Sequence, residues 1–338
     1  MATGNPSMAT TELAFLHEQL QQRRERLQQA LAASPGAAPL AHLLAEVDSA
    51  LERMARGTYG ICPACNESVE KDRLLADPLT CYCLAHLTTE QQRALERDLE
   101  LAAQIQRRLL PPADLRVNGW EAHYRYEPAG LVSGDYCDLI PDEKAGALFF
   151  VLGDVSGKGV AASMLMTHLN AIFRSLGGFG LPLDALVAHA NRVFCDSALA
   201  GQYATMVCGR AGPGGDVELI NAGHCPALLV RRGSVSVLDS TGVPLGMFCL
   251  GEFALRRVHL EPGDTLFLYT DGLSEARDSS SAEYGQARLQ ETVRQNAGRE
   301  PRALADSCLR DARAFSGGQQ LDDLALLVVR RASALGAV

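Results

Sequence analysis

The chain has 338 residues, of which 47% are hydrophobic and 21% charged, and its formal net charge is −9. This acidic balance argues against a nucleic-acid or anionic-membrane surface, and no apolar run approaches the roughly 20 residues that a membrane helix needs. The N-terminal residues contain neither the basic nor the apolar region of a signal peptide, so we expect a cytoplasmic protein without nucleic-acid or membrane partners.

Ten cysteines are many for a chain in this compartment. Because the cytoplasm keeps thiols reduced, we expect these cysteines to remain unbridged and those that cluster to bind metal.

The first predicted elements are two amphipathic helices. Leucines recur at helical intervals over 11–33, and a second stripe of apolar residues covers 40–57. The Pro- and Gly-containing stretch 34–39 separates them. Short turns of this kind join antiparallel neighbours, so the sequence predicts a helical hairpin over 10–57.

A group of cysteines follows at 58–88. Its pattern is C-x2-C-x17-C-x2-H, formed by Cys62, Cys65, Cys83 and His86. Two such pairs supply the four soft ligands of a tetrahedral zinc site, and four protein ligands leave no open position. We therefore predict one structural Zn²⁺, with Cys81 as an alternative to Cys83.

The hairpin, the motif GTYGICPAC, the motif RLLADP and the second ligand pair together resemble the DksA/TraR zinc-finger family over about residues 10–90. Members of that family act on RNA polymerase through acidic residues at the hairpin tip. Here the tip reads AASPGAAPLAH and contains no acid. The finger is therefore expected to brace the hairpin or bind a partner, and a non-enzymatic zinc-finger regulator of transcription is the alternative function of the whole protein.

A third helix is predicted at 88–110. Leu95, Leu99, Ala102, Gln106 and Leu109 follow a 4-3-4-3 spacing that is similar to a coiled coil. Pro111 and Pro112 end the pattern. We assign 89–112 as a linker helix.

From residue 118 short β-rich segments alternate with glycine turns. Helical patterns intervene at 160–176, 182–198, 284–297 and 301–315. Strands with flanking helices predict a layered α/β or α+β domain over 118–331.

The stretch LGDVSGKGV (152–160) raises the question of a phosphate loop. Its glycines are one residue too close for a Walker A motif, and Gly159 stands where Ser or Thr would contact magnesium. Acids at strand ends suggest a metal site instead. These are Asp135, Asp138, Asp154, Asp271, Asp322 and Asp323. Carboxylate oxygens suit Mg²⁺ or Mn²⁺.

A series of ordered motifs in this region resembles the metal-dependent (type-2C, PPM) protein phosphatases, in particular their SpoIIE/RsbU branch. The motifs are SGDYCD, LGDVSGKGVAASMLM, YATMV, INAGHCPALL, TGVPLGM, LYTDGLSEA, YGQARL and LDDLALLVV. The resemblance covers about residues 100–331.

The resemblance implies a sandwich of two antiparallel β-sheets flanked by helices, with two Mn²⁺ or Mg²⁺ ions at one end. Asp154 would bridge the ions with help from the Val155 carbonyl, and Asp135, Asp271 and Asp322 would complete the set. Asp138 and Asp323 are less certain members, which would support these ligands or form a weaker third site. The implied activity is hydrolysis of phosphoserine and phosphothreonine on a protein substrate by a metal-bridged hydroxide. Similar enzymes dephosphorylate anti-sigma-factor antagonists and form homodimers through the linker helix.

A rival motif lies in the same region. His224, Cys225 and Arg231 match HC-x5-R, the signature of cysteine-dependent tyrosine phosphatases. The five intervening residues, PALLV, contain no glycine and read as a buried strand, which cannot form a phosphate cradle. We therefore expect Cys225 to be dispensable and His224 to be a packing or hydrogen-bonding residue.

Overall fold

The structure is a computed structural model that describes residues 10–33, 38–86, 89–177, 180–199 and 201–332. Residue contacts divide the chain into two compact units, Met1–Asp98 and Leu99–Val338. Within the described residues, no helix combines the length and the apolar character that crossing a membrane requires.

The first unit opens with the predicted pair of helices, α1 (Thr10–Ala33) and α2 (Ala38–Ala55). Their shared seam buries the leucine stripe of α1 and the apolar face of α2, including Leu16, Leu20 and Val47. The helices predicted over 11–33 and 40–57 are thus confirmed. Residues 34–37 of the predicted turn lie outside the described residues.

The rest of the first unit is short and irregular. It contains α3 (Lys71–Ala76), a one-turn 3-10 helix at Leu84–His86 and an isolated bridge between Ile61 and Ser68. Tyr59, Val69 and Leu74 join the core of the hairpin. This small apolar core holds the cysteine-rich segment against α1 and α2.

The linker helix α4 (Thr89–Leu109) matches the prediction of 88–110 to within a residue at each end. Its C-terminal part belongs to the second unit, where the side chain of Gln106 is buried. The Gln106 amide donates to the Ser133 carbonyl at 2.7 Å and accepts from the Ser133 amide at 3.0 Å. This glutamine fixes the backbone one residue before Gly134.

The second unit is built on two antiparallel sheets. The six-stranded sheet has the order β1-β2-β11-β10-β7-β8 and the five-stranded sheet the order β3-β4-β5-β6-β9. The strands are β1 (Asp114–Val117), β2 (Trp120–Glu127), β3 (Asp135–Asp142), β4 (Ala147–Val155), β5 (Ala204–Ala211), β6 (Asp216–Ala222), β7 (Ala227–Arg231), β8 (Ser234–Leu238), β9 (Arg256–His259), β10 (Thr265–Tyr269) and β11 (Leu324–Arg331).

Helices cover the outer faces of both sheets. They are α5 (Gly159–Gly177), α6 (Leu183–Ser197), the one-turn α7 (Asp271–Ser274), α8 (Gln286–Gln295) and α9 (Pro301–Ser316). Helices α5 and α6 pack on the five-stranded sheet, and α8 and α9 pack on the six-stranded sheet. The predicted sandwich of two antiparallel sheets flanked by helices is therefore confirmed.

Side-chain alternation along β4 shows how the layers are filled. Leu148, Phe150 and Leu152 point into the core between the sheets, whereas Phe149 and Val151 join the layer beneath the helices. Both faces are apolar because both are buried, which explains the unbroken run ALFFVL in the sequence.

One expectation about the cysteines is wrong. Cys195, on α6, and Cys249, in the loop between β8 and β9, form a disulfide with a Cα–Cα distance of 5.8 Å. The two residues are 54 positions apart and share no spacing motif, so only the tertiary fold brings them together. The other eight cysteines are unbridged.

Candidate functional site

Two of the predicted acids lie opposite each other at one end of the five-stranded sheet. Asp135 begins β3, Asp154 is the penultimate residue of β4, and the two are direct cross-strand partners. Both acids lie on the strand face whose other side chains point into the core between the two sheets. Direct cross-strand pairs place their Cβ atoms roughly 5 Å apart, so the strand register itself brings these carboxylates together.

The other two acids come from the six-stranded sheet. Asp271 follows β10 and begins α7, and Asp322 shortly precedes β11. Antiparallel pairing of Tyr269 with Leu326 puts these two chain segments at the same end of their sheet. The four predicted acids are therefore contributed by both layers of the sandwich.

Hydrogen bonds join the two sets of acids. The Thr270 hydroxyl donates to Asp135 Oδ2 at 3.0 Å, so the end of β10 is tied to the start of β3. Asp323 accepts from the backbone amides of Ala129 at 2.8 Å and Gly134 at 2.9 Å. Asp323 thus holds the 128–134 loop in place.

Two glycines allow the backbone segments to approach each other at this end. A Cβ atom on Gly134 would lie 3.0 Å from the Val155 carbonyl oxygen, and one on Gly272 would lie 1.9 Å from the Asp323 carbonyl oxygen. The second distance is far below any van der Waals contact. The glycines of SGD and TDG therefore follow from close packing at the site.

The acids raise one another's pKa values. Burial, followed by the charges of Asp271 and Asp322, raises the pKa of Asp154 to about 7. Burial and the neighbouring Asp154 carboxylate raise the pKa of Asp135 well above its ordinary range. Burial and Asp322 raise that of Asp271. Such a concentration of partly buried negative charge is stabilised by cations, so the donor set fits divalent metal ions.

The ligand atoms of the four acids are farther apart than those of the cysteine group. Among the described residues, the only group of three or more ligand atoms within 4.8 Å of one another is formed by Cys62, Cys65, Cys83 and His86. Its contacts include 3.7 Å between Cys65 Sγ and Cys83 Sγ and 3.2 Å between Cys83 Sγ and His86 Nδ1. Cys81 instead contacts the Leu79 carbonyl, so the geometry favours Cys83 as the ligand.

Asp138 does not join the other acids. It lies three residues after Asp135 on β3 and so projects from the opposite face, beneath α5. There its carboxylate receives two hydrogen bonds of 2.8 Å from the Arg174 guanidinium and is fully buried. Asp138 is a structural ion-pair residue.

One further charged side chain, Lys158, lies beside these acids. The residue lies in the turn between β4 and α5, and its Nζ atom is 2.8 Å from Asp322 Oδ2 and 3.2 Å from the Leu321 carbonyl oxygen. Lys158 and Asp322 also line a cavity of about 520 Å³ whose other walls include Gly272, Arg277 and Arg313. The glycines on both sides of Lys158 indicate a turn and are the only sign of this residue in the sequence. Its partner Asp322 is 164 residues away, so the sequence does not reveal their contact.

The rival cysteine motif does not form a phosphate cradle. Residues Ala227–Arg231 form strand β7, which pairs with β8 and β10. Burial raises the pKa of the Cys225 thiol to about 12, which opposes thiolate formation. Arg231 is engaged by Asp264 at 2.7 Å, and His224 contacts the Thr205 hydroxyl through Nδ1 at 2.9 Å.

Comparison with known proteins places this geometry in context. Residues 144–332 match the family described as stage II sporulation protein E (SpoIIE). Protein IcfG of Synechocystis sp. is 28% identical over 265 residues, which cover 69% of this chain and 41% of IcfG. Phosphoserine phosphatase RsbU of Bacillus subtilis is 25% identical over 246 residues, which cover 71% of this chain and 72% of RsbU.

A solved structure is also similar. The RsbU and RsbW domains of a Mycobacterium tuberculosis protein superpose with a TM-score of 0.57 at 27% sequence identity. The match covers 66% of this chain and 63% of that chain. This chain therefore spans about two fifths of IcfG and less than two thirds of the mycobacterial chain.

Proposed function

Since this chain belongs to the stage II sporulation protein E (SpoIIE) family, we propose that it is a metal-dependent phosphatase that hydrolyses phosphoserine and phosphothreonine on a protein substrate. The observation that carries the proposal is the convergence of Asp135, Asp154, Asp271 and Asp322 from two sheets onto one end of the sandwich. A phosphoserine phosphatase among the similar proteins supports the same chemistry.

In this proposal the four aspartates and the Val155 carbonyl would hold two Mn²⁺ or Mg²⁺ ions. When bound, such ions supply positive charge that activates a water molecule and neutralises the phosphoryl oxygens. The role of the surrounding protein is to fix the positions of these ligands. Thr270 fixes one oxygen of Asp135, and Asp323 anchors the loop that leads into β3. No side-chain nucleophile is required.

The direct test is hydrolysis of a phosphoserine peptide by the full chain, with Mn²⁺ and with chelator. We expect turnover that requires the metal and that falls by at least ~100-fold in Asp154→Asn. An exposed acid on α6, Asp184, provides the control, because Asp184→Asn removes a carboxylate outside the site. Equal activity of Asp154→Asn and the wild type would contradict the proposal.

We further propose that Cys62, Cys65, Cys83 and His86 bind one structural Zn²⁺. Their close sulfur and nitrogen atoms support this assignment. Metal analysis of the purified protein should give about one zinc per chain, and Cys65→Ser should lose it, whereas Cys81→Ser should retain it. Full zinc content in Cys65→Ser would remove Cys65 from the ligand set.

For the partners, we propose a phosphorylated protein substrate of the anti-sigma-factor-antagonist type. The similarity to a phosphoserine phosphatase supports a phosphorylated substrate. The alternative, a non-enzymatic zinc-finger regulator of transcription, gains support only if the metal-loaded chain is inactive on phosphoproteins and is captured by RNA polymerase. The acid-free hairpin tip disfavours that alternative.

We also propose a homodimer formed through the linker helix α4. Leu101 and Ile105 lie one turn apart on this helix and are more than half exposed, at 56% and 52%. Sedimentation should show a dimer that Ile105→Glu dissociates. Leu131→Glu, a change at an exposed loop leucine, is the control and should leave the dimer intact.

A further inference from the structure

Lys158 has contacts that a solvated loop lysine would not need. The turn that carries it has left-handed φ values of 96° at Gly157 and 72° at Gly159, so the backbone directs this segment along the edge of the acidic site. Its ammonium group contacts both the Asp322 carboxylate and the Leu321 carbonyl. These contacts join the β4–α5 turn to the segment before β11.

Lys158 is also the cation that contacts the acidic site directly, through the Asp322 carboxylate. Two other cations line the same cavity, but each has a carboxylate partner away from the four acids. Arg277 pairs with Glu283 and Arg313 pairs with Glu127, both at 2.7 Å. Lys158 alone of these three has a proposed metal ligand as its partner.

A metal ion bound at Asp322 would compete with this ion pair. A divalent ion at Asp322 competes for the carboxylate that Lys158 now contacts, because both are cations directed at the same group. The ammonium group then needs another anionic partner at the boundary between the acids and the cavity. The side chain is 63% exposed there, so it can move at little cost. A phosphoryl group that reaches the ions from the cavity passes this position.

We propose that Lys158 binds a phosphoryl oxygen of the substrate. In the metal-free protein, the ion pair with Asp322 keeps the Lys158 ammonium group at this position. The inference rests on the proposed phosphatase function and deepens it, since it assigns the residue that recognises the phosphate. The substrate chain lies in the cavity between α7, α9 and the 317–321 loop. The cavity wall carries both charges and the apolar Leu309 and Leu321, which suits a peptide segment.

The test compares Lys158→Gln, Lys158→Arg and the matched control Lys144→Gln, which removes an exposed lysine from the β3–β4 turn, at the end of β4 away from Asp154. Calorimetry on the Mn²⁺-loaded full chain measures the dissociation constant of inorganic phosphate, and a phosphoserine peptide gives KM and kcat. Lys158→Gln should raise both the phosphate dissociation constant and KM by on the order of tenfold, the loss expected for one charge-assisted hydrogen bond. Lys158→Arg should restore most of the lost phosphate affinity, and Lys144→Gln should stay within about twofold of wild type.

Mn²⁺ binding separates this role from a purely structural one. Lys158→Gln should leave Mn²⁺ affinity unchanged or slightly tighter, because a competing cation is removed. Unchanged phosphate affinity in Lys158→Gln would overturn the inference and leave Lys158 as a charge partner of Asp322. Weaker Mn²⁺ binding would also overturn it, since Lys158 would then organise the metal site.

The proposed function is judged separately by the wild type. Wild-type turnover together with unchanged Lys158→Gln constants rejects only the inference. Absence of wild-type turnover rejects the proposed function, and the phosphate titration still decides whether Lys158 contacts phosphate.

Discussion

At the scale of single residues, the two acids of β3 show that position on a strand decides the role of a carboxylate. Asp135 and Asp138 are three residues apart and project from opposite faces. Asp135 lies opposite Asp154 and accepts a hydrogen bond from Thr270, whereas Asp138 accepts a hydrogen bond from Arg174. A period of two along a strand is readable from sequence, so this separation was predictable once β3 was recognised as a strand.

Gly272 provides the first prediction at this scale. Replacing it by alanine puts a Cβ atom 1.9 Å from the Asp323 carbonyl oxygen, so the segments that carry Asp271 and Asp322 must separate. We expect Gly272→Ala to lower the free energy of unfolding by ~2 kcal/mol or more and to weaken Mn²⁺ binding. Denaturant unfolding and calorimetry measure the two effects. Gly130→Ala, where the nearest atom is 3.8 Å away, should change neither.

The second prediction concerns pH and the metal-free protein. The pKa of Asp154 rises from 3.8 to about 7 on folding, because the carboxyl is buried near other acids. The folded state therefore binds this proton more tightly, and the resulting stabilisation, complete below pH ~4, is lost as pH rises through about 7. In chelator, the melting temperature should fall between pH 5 and pH 8, and Asp154→Asn should flatten that fall. An undiminished slope in Asp154→Asn would contradict the assignment.

At the scale of elements, strand β7 decides between two phosphatase chemistries. The HC-x5-R motif requires a loop that leads into a helix, whereas here the residues after Cys225 and Pro226 pair with two neighbouring strands. Their amides are used in the sheet and cannot surround a phosphate. Element type therefore excludes a mechanism that residue identity alone would permit.

Cys225→Ser tests this exclusion. The substitution keeps the size of the side chain and removes the thiol, so turnover of a phosphoserine peptide should stay within about twofold of wild type. Asp271→Asn, changed in parallel, should lose most activity. Loss of turnover in Cys225→Ser with normal folding and metal content would revive the cysteine mechanism.

The elements also show what the sequence can predict and where it stops. Helices with strong apolar periodicity, such as α5 and α9, were predicted to within one or two residues. Strand β3 was less visible, because acids and a proline interrupt its apolar residues. The pairs Lys158–Asp322 and Cys195–Cys249 were not predictable, because each joins distant segments that only the tertiary fold brings together.

At the scale of the whole molecule, long-range links fasten the loop between β8 and β9 to the helix layer. Asn191 of α6 donates to the Phe248 carbonyl and accepts from the Gly246 amide, and the Cys195–Cys249 disulfide lies beside these contacts. Leu245, in the same loop, and Ala204, at the start of β5, donate backbone hydrogen bonds to each other's carbonyl groups. The loop is thereby connected to the strand that pairs with Asp154.

The disulfide makes a prediction for the intact protein. In the chain-entropy account, a cross-link across 54 residues restricts the unfolded chain and stabilises the fold by about 4 kcal/mol. A reductant should therefore lower the melting temperature of the wild type. Cys195→Ser should melt at the lower temperature already and show no further change with reductant. Insensitivity of the wild type to reductant would mean that the bridge does not form in solution.

The position of β11 has a consequence for biosynthesis. Among the described strands, β11 comes last in the sequence, yet it lies inside its sheet, between β2 and β10. Asp322 and Asp323 immediately precede it. During translation, β2 and β10 are made before the strand that lies between them. The acidic site is therefore incomplete until β11 has left the ribosome. Under the proposed function, a nascent chain that lacks β11 and the two acids before it is therefore expected to be inactive.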